Sequence, residues 1–69
     1  MIKNKFSEIL GRKRVRMSEI AKLTGLRNAT LSVIYNDKCK QIAFETLNKI
    51  CWALDCKIED IFEYVPDEE

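Results

Sequence analysis

Residues 16–40 read RMSEIAKLTGLRNATLSVIYNDKCK. Met17, Ile20, Ala21 and Leu23 recur at helical spacing, as do Leu31, Ile34 and Tyr35, and Thr24-Gly25 separates the two sets. The segment therefore reads as two short helices, over about residues 17–24 and 28–36, joined by a tight turn. Gly25 suits that turn because it enters the left-handed backbone region without a steric penalty. Leu26 fills the space inside the turn. Asn28, Ala29, Ser32, Val33 and Asn36 fall on the outer side of the second helix, which carries amides, hydroxyls and methyls but no long charged side chain. A generic solvent-facing helix favours Glu and Lys. Small groups of this kind match base edges instead, amides pairing with adenine and apolar groups meeting the thymine methyl. Such a layout lets one helix brace on a nucleic-acid backbone while the next enters the major groove.

Outward from this centre the pattern stays helical. Phe6, Ile9, Leu10 and Lys13 mark a first helix over about residues 5–13, with Gly11 inside it, where glycine costs about 1 kcal/mol relative to alanine. That glycine is expected to permit a close helix approach or an early frayed end. Leu47, Ile50, Cys51 and Leu54 mark a fourth helix over about 44–54, and Ile58, Ile61 and Phe62 a short fifth over about 58–63. Ile2 near one end and Tyr64 and Val65 near the other suit a small two-stranded ribbon, with Lys3 and Lys5 opposite Glu63. The expected fold is all-α: a compact five-helix bundle with short terminal strands, one domain over residues 1–69, its acidic end 66–69 loosely held beyond the only proline, Pro66.

The net charge of +1 conceals an asymmetry: residues 1–49 sum to +7 and residues 50–69 to −6. A basic first part beside an acidic end suggests a polyanion-binding face. There is no histidine, and Cys39, Cys51 and Cys56 are unevenly spaced with no CxxC pair. That excludes Cys–His catalysis, makes a poor tetrahedral zinc site and argues against an enzyme. Cys51 and Cys56 read as core fillers and Cys39 as a loop residue. No cofactor, metal or small-molecule ligand is expected. No apolar run reaches the roughly 18 residues that would span a membrane, and with no secretory signal visible a cytoplasmic address is the default.

Within Met17–Asn36, the small Ala21, the turn residue Gly25 and the inner pair Leu31 and Ile34 stand at the spacing a helix-turn-helix needs. Here the chain resembles the lambda-repressor-like helix-turn-helix domains of phage Cro and repressor proteins, the XRE type. IAKLTGLRNATLSVIYND carries the resemblance, continued by ETLNKICWALDCKIEDIFEY, so that it covers about residue 6 to residue 65. The resemblance implies a five-helix fold and sequence-specific binding to double-stranded operator DNA, often as a homodimer, with repression of transcription as the usual outcome. It places Asn28, Ala29, Ser32 and Val33 at base-reading positions. Arg16 and Met17 match positions where the second helix meets phosphate, Arg27 and Thr30 lie where the recognition helix begins, and Lys38 and Lys40 match a loop that tracks the backbone. Where many relatives have glycine after the third helix, this chain has Asp37; where Ser or Thr often caps the last helix, it has Lys57.

Trp52 follows Cys51 and lies about 100° off the inner stripe of its helix. Either it closes the edge of the core or it belongs to an interface, where tryptophan is enriched; Tyr64 and Val65 join it as candidates for a dimer contact. The rival reading is a protein-interaction module or antitoxin-like adaptor built on the same fold.

Overall fold

Ten buried apolar side chains form one cluster, drawn from every helix: Phe6, Ile9 and Leu10, then Ile20, then Leu31 and Ile34, then Leu47, Ile50 and Leu54, and finally Ile61. The computed structural model describes residues 1–67, in the order β1 (Ile2–Asn4), α1 (Phe6–Lys13), α2 (Met17–Thr24), α3 (Asn28–Tyr35), α4 (Phe44–Leu54), α5 (Ile58–Ile61) and β2 (Phe62–Tyr64). The expected loose end at 66–69 lies partly outside the described residues. α2 packs against α3 and α4, while α1 packs against α3 and α5. The five expected helices and the terminal ribbon are all present.

β1 and β2 run antiparallel, with Ile2 opposite Tyr64, Lys3 opposite Glu63 and Asn4 opposite Phe62. The Val65 N–H extends the ladder by donating to the Met1 carbonyl at 2.8 Å. Lys5 Nζ reaches Glu63 Oε1 at 3.4 Å, an ion pair at the ribbon's edge. The expected span of 58–63 for the fifth helix is therefore too long. It stops at Ile61, because Phe62 turns extended (φ −128°, ψ 139°) to pair with Asn4. Asn4 also ties the ribbon to two helices: its side-chain oxygen accepts the Phe6 N–H at 2.9 Å, and its Nδ2 donates to the Ile34 carbonyl at 2.8 Å. The Lys5 N–H donates to the Ile61 carbonyl at 2.6 Å, which fixes the start of α1 on the end of α5.

Three helix ends follow one scheme. After α1, α3 and α4 a residue takes the left-handed conformation: Arg14 (φ 56°), Asp37 (φ 59°) and Asp55 (φ 50°). In each case the next N–H reaches back five residues: Val15 to Leu10 at 3.0 Å, Lys38 to Val33 at 2.9 Å and Cys56 to Cys51 at 3.1 Å. Such loops satisfy carbonyls that the helix leaves open. They normally favour glycine, so Asp37 stands where the positive φ would suit glycine better. Only α2 ends on glycine, Gly25 at φ 75°, whose N–H donates to the Ala21 carbonyl at 2.9 Å. At α5 the Asp60 carboxylate accepts the Lys57 N–H at 3.0 Å, so the acid three residues on supplies the capping bond that Lys57 cannot.

Four expectations from the sequence need correction: Leu23 and Tyr35 facing inward, Gly11 as a close approach or frayed end, and Cys51 with Cys56 as core fillers. Leu23 is 56% exposed. On a helix of eight residues the inner stripe is Met17, Ile20, Ala21 and Thr24, and Leu23 lies roughly 100° round from its centre. Tyr35 is 42% exposed: its ring meets Phe6 edge-on, at 6.5 Å between centroids and 83° between planes, while the rest stays in water. Gly11 is no close-approach point, since an added Cβ would meet nothing within 4 Å, and α1 continues to Lys13 without fraying. Cys51 and Cys56 are not interior fillers but half-buried residues at the core's margin.

Candidate nucleic-acid interface

α3 is held from beneath by Leu31, fully buried, and Ile34, 2% exposed. At about 100° per residue these fix the opposite direction: Ala29, Ser32 and Val33 centre the outer face, with Asn28 and Thr30 on its two flanks. Asn28, Ala29 and Thr30 are exposed, Val33 is 44% exposed and Ser32 is half-buried. The residue before the helix, Arg27, is extended (φ −74°, ψ 144°), and Asn28 is the first helical residue. Its amide makes no capping bond among the described residues, so it is available to an outside partner.

Ser32 is partly engaged. Asn36 Nδ2 donates both to the Ser32 carbonyl at 2.9 Å and to its Oγ at 3.0 Å. The hydroxyl oxygen thus accepts one bond within the chain, while its own proton stays free to donate. Asn36 is a positioning residue that the sequence reading placed only on the outer face. Its spacing of four from Ser32 was the available signal.

The cations form a border. Arg16 precedes α2, Arg27 precedes α3, and Lys38 and Lys40 follow α3; all four are exposed. Among the described residues none of them has a carboxylate within ion-pair distance: the pairs found are Lys5–Glu63, Lys49–Glu45 and the Met1 amino group with Asp67. Arg16 shares an open groove of about 620 Å³ with Arg14, Ser7 and Tyr35, so the start of α2 lies beside the end of α3. Arg14 is a further exposed cation lining this groove. Met17 differs from its neighbours in kind. Its side chain packs against the core, so only its backbone N–H at the helix start is a candidate for phosphate.

The loop after α3 is shaped by its own bonds. Cys39 Sγ donates to the Gln41 carbonyl at 2.9 Å, and Thr30 and Val33 share a shallow concavity of about 270 Å³ with Cys39, Gln41 and Ile42. Thr30 therefore flanks this loop. In the turn between α2 and α3, the Thr24 hydroxyl donates to the Ile20 carbonyl at 2.6 Å and accepts the Leu26 N–H at 3.1 Å. That pair of bonds sets the angle at which α3 leaves the turn, and nothing in apolar periodicity announces it. Trp52 is 66% exposed and Tyr64 68%, while Val65 is half-buried. Trp52 therefore does not close the core. Among the described residues no group of three or more His, Cys, Asp or Glu side chains is placed to hold a metal, and no helix is long and apolar enough to cross a membrane.

Residues 5–67 match the profile of the Cro/C1-type HTH DNA-binding domain. Two Bacillus subtilis (strain 168) proteins are similar to the chain. One, described as the uncharacterized HTH-type transcriptional regulator YozG, is 38% identical over 61 residues, covering 88% of this chain and 73% of that protein. The other, described as the SPbeta prophage-derived uncharacterized HTH-type transcriptional regulator YopS, is 33% identical over 58 residues, covering 83% and 77%.

Proposed function

The chain belongs to the Cro/C1-type HTH DNA-binding domain family, a family of non-enzymatic transcriptional regulators, and from that premise we propose that it represses transcription by reading operator DNA through α3 in the major groove. One observation carries this reading: an exposed helix face of small groups, bordered by Arg16, Arg27, Lys38 and Lys40 and with no carboxylate paired to them among the described residues. The cations release counterions from the duplex and supply affinity without sequence preference. Arg16, the Met17 N–H, Arg27, Thr30, Lys38 and Lys40 set the register on phosphate. Asn28, Ala29, Ser32 and Val33 meet base edges. Ser32, its oxygen taken by Asn36, acts as a donor and so favours acceptors such as guanine N7 and O6 or thymine O4.

Eight residues of helix read few base pairs, and a homodimer on a palindromic operator doubles that reach. Two copies of α3 would then stand roughly 34 Å apart, one helical turn of DNA. The exposed Trp52 and Tyr64, with Val65 beside the latter, are our candidates for the contact between copies.

Fluorescence anisotropy on random duplex and on a site selected from a randomised library tests the reading. Affinity for random duplex should fall steeply between about 50 and 200 mM salt, and the selected site should hold its preference throughout. Absence of binding to any duplex at low salt would sink the proposal and leave the protein-interaction module in its place.

A further inference from the structure

We propose that Cys51 and Cys56 form a chelating dithiol that captures a trivalent arsenical as a neutral bis-thiolate adduct. The pairing arises from the end of α4. Asp55 takes the left-handed conformation, its N–H donates to the Trp52 carbonyl at 3.3 Å, and the Cys56 N–H donates to the Cys51 carbonyl at 3.1 Å. This loop folds the residue after the turn back over the residue five before it, a place where an apolar contact is usual. The same loop sets Val15 over Leu10 after α1 and Lys38 over Val33 after α3. At α4 it sets Cys56 over Cys51, and both cysteines line one concavity.

Neither thiol is sealed in. Both are partly exposed and open onto a concavity of about 340 Å³ walled by Phe44, Leu47 and Ile58, with Lys57 beside it. Apolar walls disfavour charge, so an occupant that leaves the sulfurs neutral fits better than one that needs thiolates. Burial first, then the neighbouring Cys51 and Asp60, push the Cys56 thiol up to about 11. Peroxide oxidation, which requires thiolate, is thereby slowed at neutral pH. Condensation with an organic arsenic(III) oxide has no such need. Two arsenic–sulfur bonds form, the arsenic–oxygen double bond breaks, and the oxygen leaves as water with both thiol protons. Arsenic stays trivalent, and no oxidant or reductant takes part. The organic substituent then lies against Phe44, which is 89% exposed, and Ile58, 56% exposed. Cys39 is the internal comparison: its thiol donates to Gln41 beside α3, in a different concavity and without a second sulfur.

Phenylarsine oxide is the probe. Titrated into the reduced full chain at neutral pH and followed by native mass spectrometry, it should add one phenylarsenic unit per chain and protect two of the three thiols from a thiol-specific dye. Cys39→Ser should leave this unchanged. Cys51→Ser and Cys56→Ser should each lower affinity roughly a hundredfold or more, the loss expected when chelation is reduced to a single contact. Circular dichroism checks that each variant is folded, and Cys51→Ala and Cys56→Ala serve if a serine variant is not. Because the site is built by the fold, the ligand should raise the melting temperature, and chain unfolded in denaturant should bind at least roughly tenfold more weakly. Unchanged binding in folded Cys51 or Cys56 variants, protection of Cys39, or equal affinity of the unfolded chain would each overturn the proposal.

Discussion

The Asn4 side-chain amide donates to the Ile34 carbonyl at 2.8 Å, across thirty residues of sequence. One end of this bond is the strand that opens the ribbon and the other is the buried side of α3. Asn4 accepts the Phe6 N–H as well, so a single amide organises the start of α1 and the last turn of α3. Removing both bonds leaves partly buried backbone groups without partners. Asn4→Ala should therefore lower stability by about 1–3 kcal/mol, measured by urea denaturation. Asn4→Asp keeps the acceptor for Phe6 but loses the donor and sets a second carboxylate beside Asp37 Oδ1, which Asn4 Nδ2 approaches at 3.4 Å. It should not rescue.

Gly11 and Gly25 should answer alanine with opposite signs. Gly11 lies inside α1 with open space where a Cβ would go, so Gly11→Ala should stabilise by about 0.5–1 kcal/mol. Gly25 has open space too, but at φ 75° the backbone itself opposes a Cβ, and Gly25→Ala should cost about 1–2 kcal/mol. Thermal melts resolve the two, since 1 kcal/mol moves the midpoint of a domain this size by about 4–8 °C. A loss at Gly11 would contradict the account of α1.

Arg14 and Asp55 hold the left-handed position that glycine holds in α2. Arg14→Gly and Asp55→Gly should each raise stability by about 1 kcal/mol, less whatever glycine gains in unfolded freedom. The double variant should be close to additive, because the two turns close different helices.

Asn28→Ala should weaken binding to the selected operator by about 1–3 kcal/mol and to random duplex hardly at all. Arg27→Ala should weaken both alike and flatten the salt dependence by about one unit of slope. Equal loss of both affinities in the Asn28 variant would make that residue a positioning group. Asn36→Ala frees the Ser32 hydroxyl to rotate, and the preference at the base pair Ser32 meets should broaden while affinity for random duplex stays the same.

The Cys56 thiol, raised to about 11 from 9.0 by burial above all, links stability to alkaline pH. Between those values the folded chain keeps a proton that the unfolded chain has lost. Its contribution is complete below pH 9 and disappears as pH rises through about 11. Stability should therefore fall with rising pH in that window, and less steeply in Cys56→Ser. Denaturant titrations at fixed ionic strength check the difference.

Periodicity made the helices legible. Phe6, Ile9 and Leu10, and then Leu47, Ile50 and Leu54, repeat at spacings that only a helix buries together, and Gly25 marks the one turn that glycine closes. The outer face of α3 was legible for the complementary reason: small polar residues stand where exposure alone would favour Lys and Glu. Leu23 misled because a helix of eight residues leaves the centre of its stripe poorly fixed, and a spacing of three from Ile20 suits either side. Asn4 and Thr24 were silent because their partners are backbone carbonyls, which leave no mark in a sequence. The thiol pair was hidden by its spacing of five, which a straight helix would splay apart and only the turn at Asp55 brings together.

Arg14, Asp37 and Asp55 each strain the backbone at a helix end, by about 1 kcal/mol apiece. In a chain of this length, roughly 3 kcal/mol is a large share of the whole, and relieving it would shrink the unfolded population about a hundredfold. That population is what proteases degrade. Three backbone torsions thus help set how long each copy survives, and through its lifetime how quickly the cell's supply of this regulator can be renewed or withdrawn.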